Sequence, residues 1–114
     1  MPEAEPASPE ALPSSAQVDA AVGAFALLAD PTRLRLLWLL DAGEHDVGTL
    51  AELTGTTPAA TSQQLAKLRL TGLVAVRRDG RRRLYVARTS HVRQLIREAL
   101  HHADHLVSGH PDHP

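Results

Sequence analysis

Cysteine is absent from all 114 residues. Without a thiol there is no disulfide, no thiolate metal site and no thiol redox chemistry. Aromatic residues are nearly as scarce, with Phe25, Trp38 and Tyr85 the only three. The core must therefore be aliphatic, built from Leu, Val and Ala, a composition that favours helices. No apolar run approaches the roughly 20 residues that cross a bilayer, and no basic segment followed by an apolar stretch opens the chain as a secretory leader would. Nor is there a nucleophile–base pair or a phosphate-cradling loop of the kind an enzyme needs. The expectation is one soluble, cytoplasmic, non-enzymatic domain with no membrane partner.

The formal net charge of −1 hides a split. Residues 1–30 carry five acids and no Lys or Arg, whereas Lys67 to Arg97 contains ten bases and one acid, Asp79. A local cationic surplus of that size is the footprint of a polyanionic partner.

Residues 1–16 are rich in Pro, Ala, Ser and Glu and are read as a disordered arm. From Val18 a helical period sets in through Val22, Phe25 and Leu28. Asp30-Pro31 starts a second helix, with a capping carboxylate before a proline that needs no amide partner. Leu34, Leu37, Trp38 and Leu40 are expected on its inner side. A short helix over Val47 to Thr54 ends at Gly55, and Thr57-Pro58 repeats the cap-plus-proline start of a helix reaching Leu70, with Ala60, Leu65 and Leu68 inward. Two helices joined by a tight turn form a helix-turn-helix. Leu73 to Val76, Asp79-Gly80 and Leu84 to Val86 then read as a β-hairpin, a wing whose tip carries five arginines. The fold class is mainly α, a winged helix-turn-helix over residues 17–107, with a His-bearing tail over 108–114. In the last helix, Val92, Ile96, Ala99, Ala103 and Leu106 repeat at four and three. That seam is expected to pair with a second chain, because a domain this small has little core to cover it.

In such a fold the second helix of the motif enters the major groove of DNA. Its exposed N-terminal positions are Thr57, Ala59, Ser62 and Gln63, whose hydroxyl and amide groups suit base edges and phosphates. Lys67 lies further along and suits phosphate, and Arg78, Arg81 and Arg82 of the wing suit a narrow groove or the backbone. A two-fold dimer would read an imperfect palindrome.

Six of the seven histidines lie between His91 and His113. His91, His102 and His105 share one helical face, with Glu98 between them. Eleven residues separate His91 from His102 by roughly 16 Å along the axis, too far for one ion whose nitrogens must approach to about 2 Å. Antiparallel pairing of two such helices would bring His91 of one chain opposite His102 and His105 of the other and make two equivalent sites.

Leu28-Ala29-Asp30-Pro31-Thr32-Arg33-Leu34-Arg35-Leu36-Leu37, Ser62 to Arg69 followed by Gly72-Leu73-Val74, and Arg78-Asp79-Gly80-Arg81 with Leu84-Tyr85 together resemble the ArsR/SmtB family of metal-sensing repressors. The resemblance covers about Val18 to Val107 and is nearest to actinobacterial nickel- and cobalt-responsive members. It implies a homodimer built from the first and last helices, which adds Val22 and Phe25 to the interface, and an apo protein that metal releases from operator DNA. The family's Cys-Val-Cys sensing motif is replaced here by Asp46-Val47-Gly48, which excludes that site. On the last helix, His91, His102 and His105 match three of four ligand positions and Thr89 stands at the fourth, usually Asp. Asp104, His110 or His113 are candidates to complete the set. Imidazole suits Ni(II), Co(II) and Zn(II) alike, and the tail ligands favour Ni(II) or Co(II) over Zn(II). The alternatives are a winged-helix regulator dependent on a protein co-regulator and a nickel-trafficking or storage protein.

Overall fold

The computed structural model describes residues 11–88 and 90–109. The first ten residues of the expected arm, Thr89, and His110 and His113 of the expected tail lie outside the described residues. Five helices and one hairpin follow in the order α1 (Ser15–Leu28), α2 (Pro31–Ala42), α3 (Val47–Thr54), α4 (Pro58–Leu70), β1 (Val74–Asp79), β2 (Arg82–Ala87) and α5 (Ser90–Ser108).

Local chemistry explains where these helices begin. Asp30, Asp46 and Thr57 each accept the amide of the residue three positions on, satisfying one of the orphan donors of a first turn. Pro31 and Pro58 open the helices after two of these caps. α1 begins at Ser15, ahead of the apolar period at Val18, because Ser14 and Gln17 form a reciprocal capping box. α3 ends on Gly55, held left-handed at φ 72°.

The core is aliphatic, with one aromatic ring. Leu36, Leu37 and Leu40 of α2 pack with Leu50 of α3, Leu65 and Leu68 of α4, Val74 of β1, Tyr85 of β2 and Ile96 of α5. Trp38, expected inward, is instead 47% exposed. Apolar residues occur on every side of α2, interspersed with Arg33, Arg35 and Asp41, and Leu36, Leu37 and Leu40 take the inner arc; Trp38 sits about 100–160° from each of them. It lines an open apolar groove of about 720 Å³ with Leu28, Leu34, Leu53 and Leu100. In α4 the inward residue is Thr61 rather than Ala60, which is exposed.

Ile96 corrects the expected interchain seam. It is 2% exposed within the single chain and belongs to its core. Val92 is half-buried against that core as well. α5 docks on α2 there, and Asp41 clamps the contact by accepting from Arg93 Nε at 2.5 Å and from Arg97 Nε at 2.8 Å. The two guanidinium groups hold the Asp41 carboxyl below its ordinary range, the Arg97 hydrogen bond contributing most. Of the expected seam, Ala99 and Leu106 remain exposed and Ala103 is half-buried.

The hairpin pairs in register from Val74 with Ala87 to Asp79 with Arg82. Gly80 and Arg81 form its two-residue loop, and only Gly80, at φ 65°, has positive φ. That is the pattern of a type II′ turn rather than the type I′ turn that Asp79-Gly80 suggests. His45 bridges Tyr85 through both backbone hydrogen bonds, at 2.8 and 3.2 Å, and ties the α2–α3 loop to the wing.

Candidate nucleic-acid interface and histidine helix

α3 and α4 form the helix-turn-helix, and α4 presents Thr57, Ala59, Ser62, Gln63 and Lys67 on its exposed side. The Thr57 hydroxyl is engaged as the cap, accepting from the Ala60 amide at 3.1 Å, and keeps its own proton to donate. Ser62 stands between helix and wing. It lines one groove with Arg69, Arg83 and Tyr85 and another with Asp46, Arg81 and Arg83. The Arg83 guanidinium lies 5.9 Å from the centre of the Tyr85 ring, within cation–π range. Sequence reasoning assigned Arg69 to phosphates or the surface, counted Arg83 only among the five wing arginines and did not single out Tyr85; the strand register fixed by the hairpin turn is the signal that puts Arg83 and Tyr85 on one side of β2.

The wing arginines are not equivalent. Arg77 forms a forked pair with Glu44, at distances of 2.6 to 3.0 Å, and Arg82 reaches Asp46 at 3.2 Å. Arg77 holds the Glu44 carboxyl below its ordinary range. Asp46 is lowered first by the Thr49 amide it caps and then by Arg82. Arg78 and Arg81 are exposed and have no ion pair among the described residues. Arg33 of α2 donates to the Leu27 carbonyl at 2.6 Å and to Gln64 Oε1 at 2.9 Å, joining the end of α1 to α4.

On α5, His91 and His102 are exposed and His105 is half-buried. At about 100° per residue, Glu98, His102 and His105 lie within about 40° of His91 around the axis, whereas Asp104 lies about 140° away. Asp104 is therefore not a fourth ligand on this face; Glu98 is the carboxylate that shares it. No group of three or more His, Asp or Glu side chains among the described residues is close enough to hold a metal ion, because the face is stretched along the helix.

A different feature marks α1 and the end of α5. α1 has no buried residue, and Val22, Phe25 and Leu106 are 60%, 56% and 69% exposed. A lone chain thus leaves two apolar stripes uncovered, a state costly in water.

Residues 30–76, which span α2 to β1, match the bacterial regulatory proteins of the arsR family. The transcriptional regulator KmtR of Mycobacterium tuberculosis is 44% identical over 92% of this chain and 80% of its own length. The chain belongs to the ArsR family. NmtR, another transcriptional regulator of that organism, is 41% identical over 96% of this chain and 89% of its own. A homodimeric winged helix-turn-helix DNA-binding domain from Mycobacterium bovis superposes with a TM-score of 0.75 and 32% identity over 88% of this chain and 93% of that one. NolR from Sinorhizobium fredii gives 0.71 and 34% over 88% and 96%. Family members are DNA-binding transcriptional regulators, not enzymes, and this ArsR-family chain has their winged helix-turn-helix. No described helix is long and apolar enough to cross a membrane.

Proposed function

We propose that this ArsR-family chain is a homodimeric repressor that binds an imperfectly palindromic operator and leaves it when Ni(II) or Co(II), or alternatively Zn(II), binds between its two α5 helices. The observation that carries the reading is that α5 holds two incomplete features. One is a histidine face too stretched for a single ion. The other is an apolar stripe, shared with α1, that the chain's own core does not cover. A second copy placed antiparallel completes both. The homodimeric relative from Mycobacterium bovis supports a homodimer.

His91 of one protomer, with His102 and His105 of the other, would hold the ion, and Glu98 offers the carboxylate that Thr89 does not. This nitrogen and oxygen set suits nickel, cobalt and zinc and disfavours soft, thiophilic ions. When bound, the ion supplies a crosslink between the terminal helices. It shifts DNA affinity only through its unequal affinity for the DNA-competent and DNA-released arrangements of the dimer. On DNA, Ser62 and Gln63 would face base edges while Arg78 and Arg81 meet phosphates.

The test is operator binding by the purified dimer, followed by fluorescence anisotropy with Ni(II), Co(II) and Zn(II) titrated in parallel. A larger loss of operator affinity with nickel or cobalt than with zinc supports the reading. Operator affinity unmoved by all three metals overturns it.

A further inference from the structure

We propose that His101 and His105 form a separate metal site, a two-imidazole chelate within one α5 that takes a divalent late first-row transition-metal ion without the partner chain. His101 lies about 80° from His91 around the helix, off the face assigned to the cross-chain site, and has no part in that site. It stands one turn from His105, the spacing at which helical side chains meet. The two ring centroids are 5.0 Å apart, with their planes at 85°.

Coordination geometry gives that distance its meaning. An imidazole bound through nitrogen puts its centroid about 3.2 Å from the ion, from about 2.1 Å of bond and about 1.1 Å of ring. Two such rings at bond angles of about 90° to 109° have centroids about 4.5 to 5.2 Å apart. The observed separation falls inside that window, which ordinary edge-to-face ring contacts share, so bringing a nitrogen of each ring onto one ion takes side-chain rotation and no change of the helix backbone. His101 is exposed and His105 half-buried, which leaves the outer coordination positions to water. Two nitrogens and solvent agree with the lack of any cluster of three or more ligands among the described residues. Imidazole selects this metal class over Mg(II) or Ca(II), with Cu(II) and Ni(II) high in the affinity order.

His105 belongs to both sites, so the two uses exclude one another at that side chain. The chelate itself requires neither the dimer nor DNA.

The experiment uses the full chain carrying His110→Ala and His113→Ala, titrated calorimetrically with Ni(II). In that background, His91→Ala with His102→Ala removes the cross-chain ligands and is expected to retain one Ni(II) per chain. Adding His101→Ala should weaken that binding about a hundredfold, the usual scale on which a tethered second ligand raises affinity. Cu(II) electron paramagnetic resonance gives a second readout: the nitrogen hyperfine pattern should fall from two imidazoles to one. Equal nickel affinity with and without His101, or an unchanged hyperfine pattern, overturns the chelate. Failure of the cross-chain reading looks different, because His91→Ala would then leave metal-controlled operator release intact whatever His101 does.

Discussion

Arg33 spans three elements. One N–H holds the last turn of α1 and another orients Gln64, next to Gln63 on α4. Removing it leaves a half-buried carbonyl and amide without their charged donor, so Arg33→Ala is expected to cost about 1–3 kcal/mol in urea unfolding. A change within measurement error would show that solvent replaces both hydrogen bonds. The wing offers a contrast between residues of one type. Among the described residues Arg78 and Arg81 carry no ion pair, whereas the Arg77 guanidinium is already committed to Glu44. For every phosphate that a variant no longer neutralises, the slope of log affinity against log salt becomes shallower by about 0.9. Arg78→Ala and Arg81→Ala should each show that shallower slope and Arg77→Ala should not; equal slopes in all three variants would contradict the assignment.

Among the elements, α5 joins the core through a narrow contact, one fully buried side chain and the Asp41 clamp. Ile96→Ala should destabilise the protomer by about 2–5 kcal/mol, and Ile96→Glu should unfold it rather than yield monomers. Folded monomers are expected instead from Phe25→Glu or Leu106→Glu, checked by sedimentation together with circular dichroism. A dimer that survives both changes would place the interface elsewhere. The clamp also sets a pH dependence. Asp41 titrates lower in the folded chain than in the unfolded one, so its stabilisation is complete above about pH 4, the unfolded aspartate value. It is lost as pH falls through the depressed folded value. Asp41→Asn should therefore lower the thermal midpoint at neutral pH and flatten its fall in acid, both read by thermal scans between about pH 7 and about pH 2. Parallel curves for the two proteins would show that the clamp contributes nothing.

For the whole molecule, stoichiometry separates a cross-chain site from one within a chain. His91→Ala and His102→Ala homodimers should each lack the cross-chain sites. In a mixed dimer of the two, one site regains all its ligands and the other loses two. Unfolding and refolding an equimolar mixture of the two, each also carrying His101→Ala to remove the within-chain chelate, should therefore restore about one metal per heterodimer, with operator release returning in that fraction. Restoration of nothing on mixing would mean that the ligands come from one chain.

Sequence alone determined what depends on neighbours three or four residues apart. The caps at Asp30 and Thr57, the two prolines that follow them, the helix stop at Gly55 and the hairpin at Asp79-Gly80 are local interactions, and they mark the elements before any packing is known. The same locality made the histidine face legible, since one helix suffices to define it. Tertiary structure decided which apolar faces turn inward. Apolar residues fall on every side of α2, so periodicity could not tell that Leu36 is buried and Trp38 exposed, and α5 has a stripe of which Ile96 serves the chain's own core while Leu106 does not. Thr61 is buried with no hydrogen-bond partner for its hydroxyl among the described residues, a place that composition assigns to an apolar residue. The pairs Arg77–Glu44 and Arg93–Asp41 join residues 33 and 52 positions apart. A helical wheel defines faces, but which face meets which neighbour is set by how whole elements exclude water together.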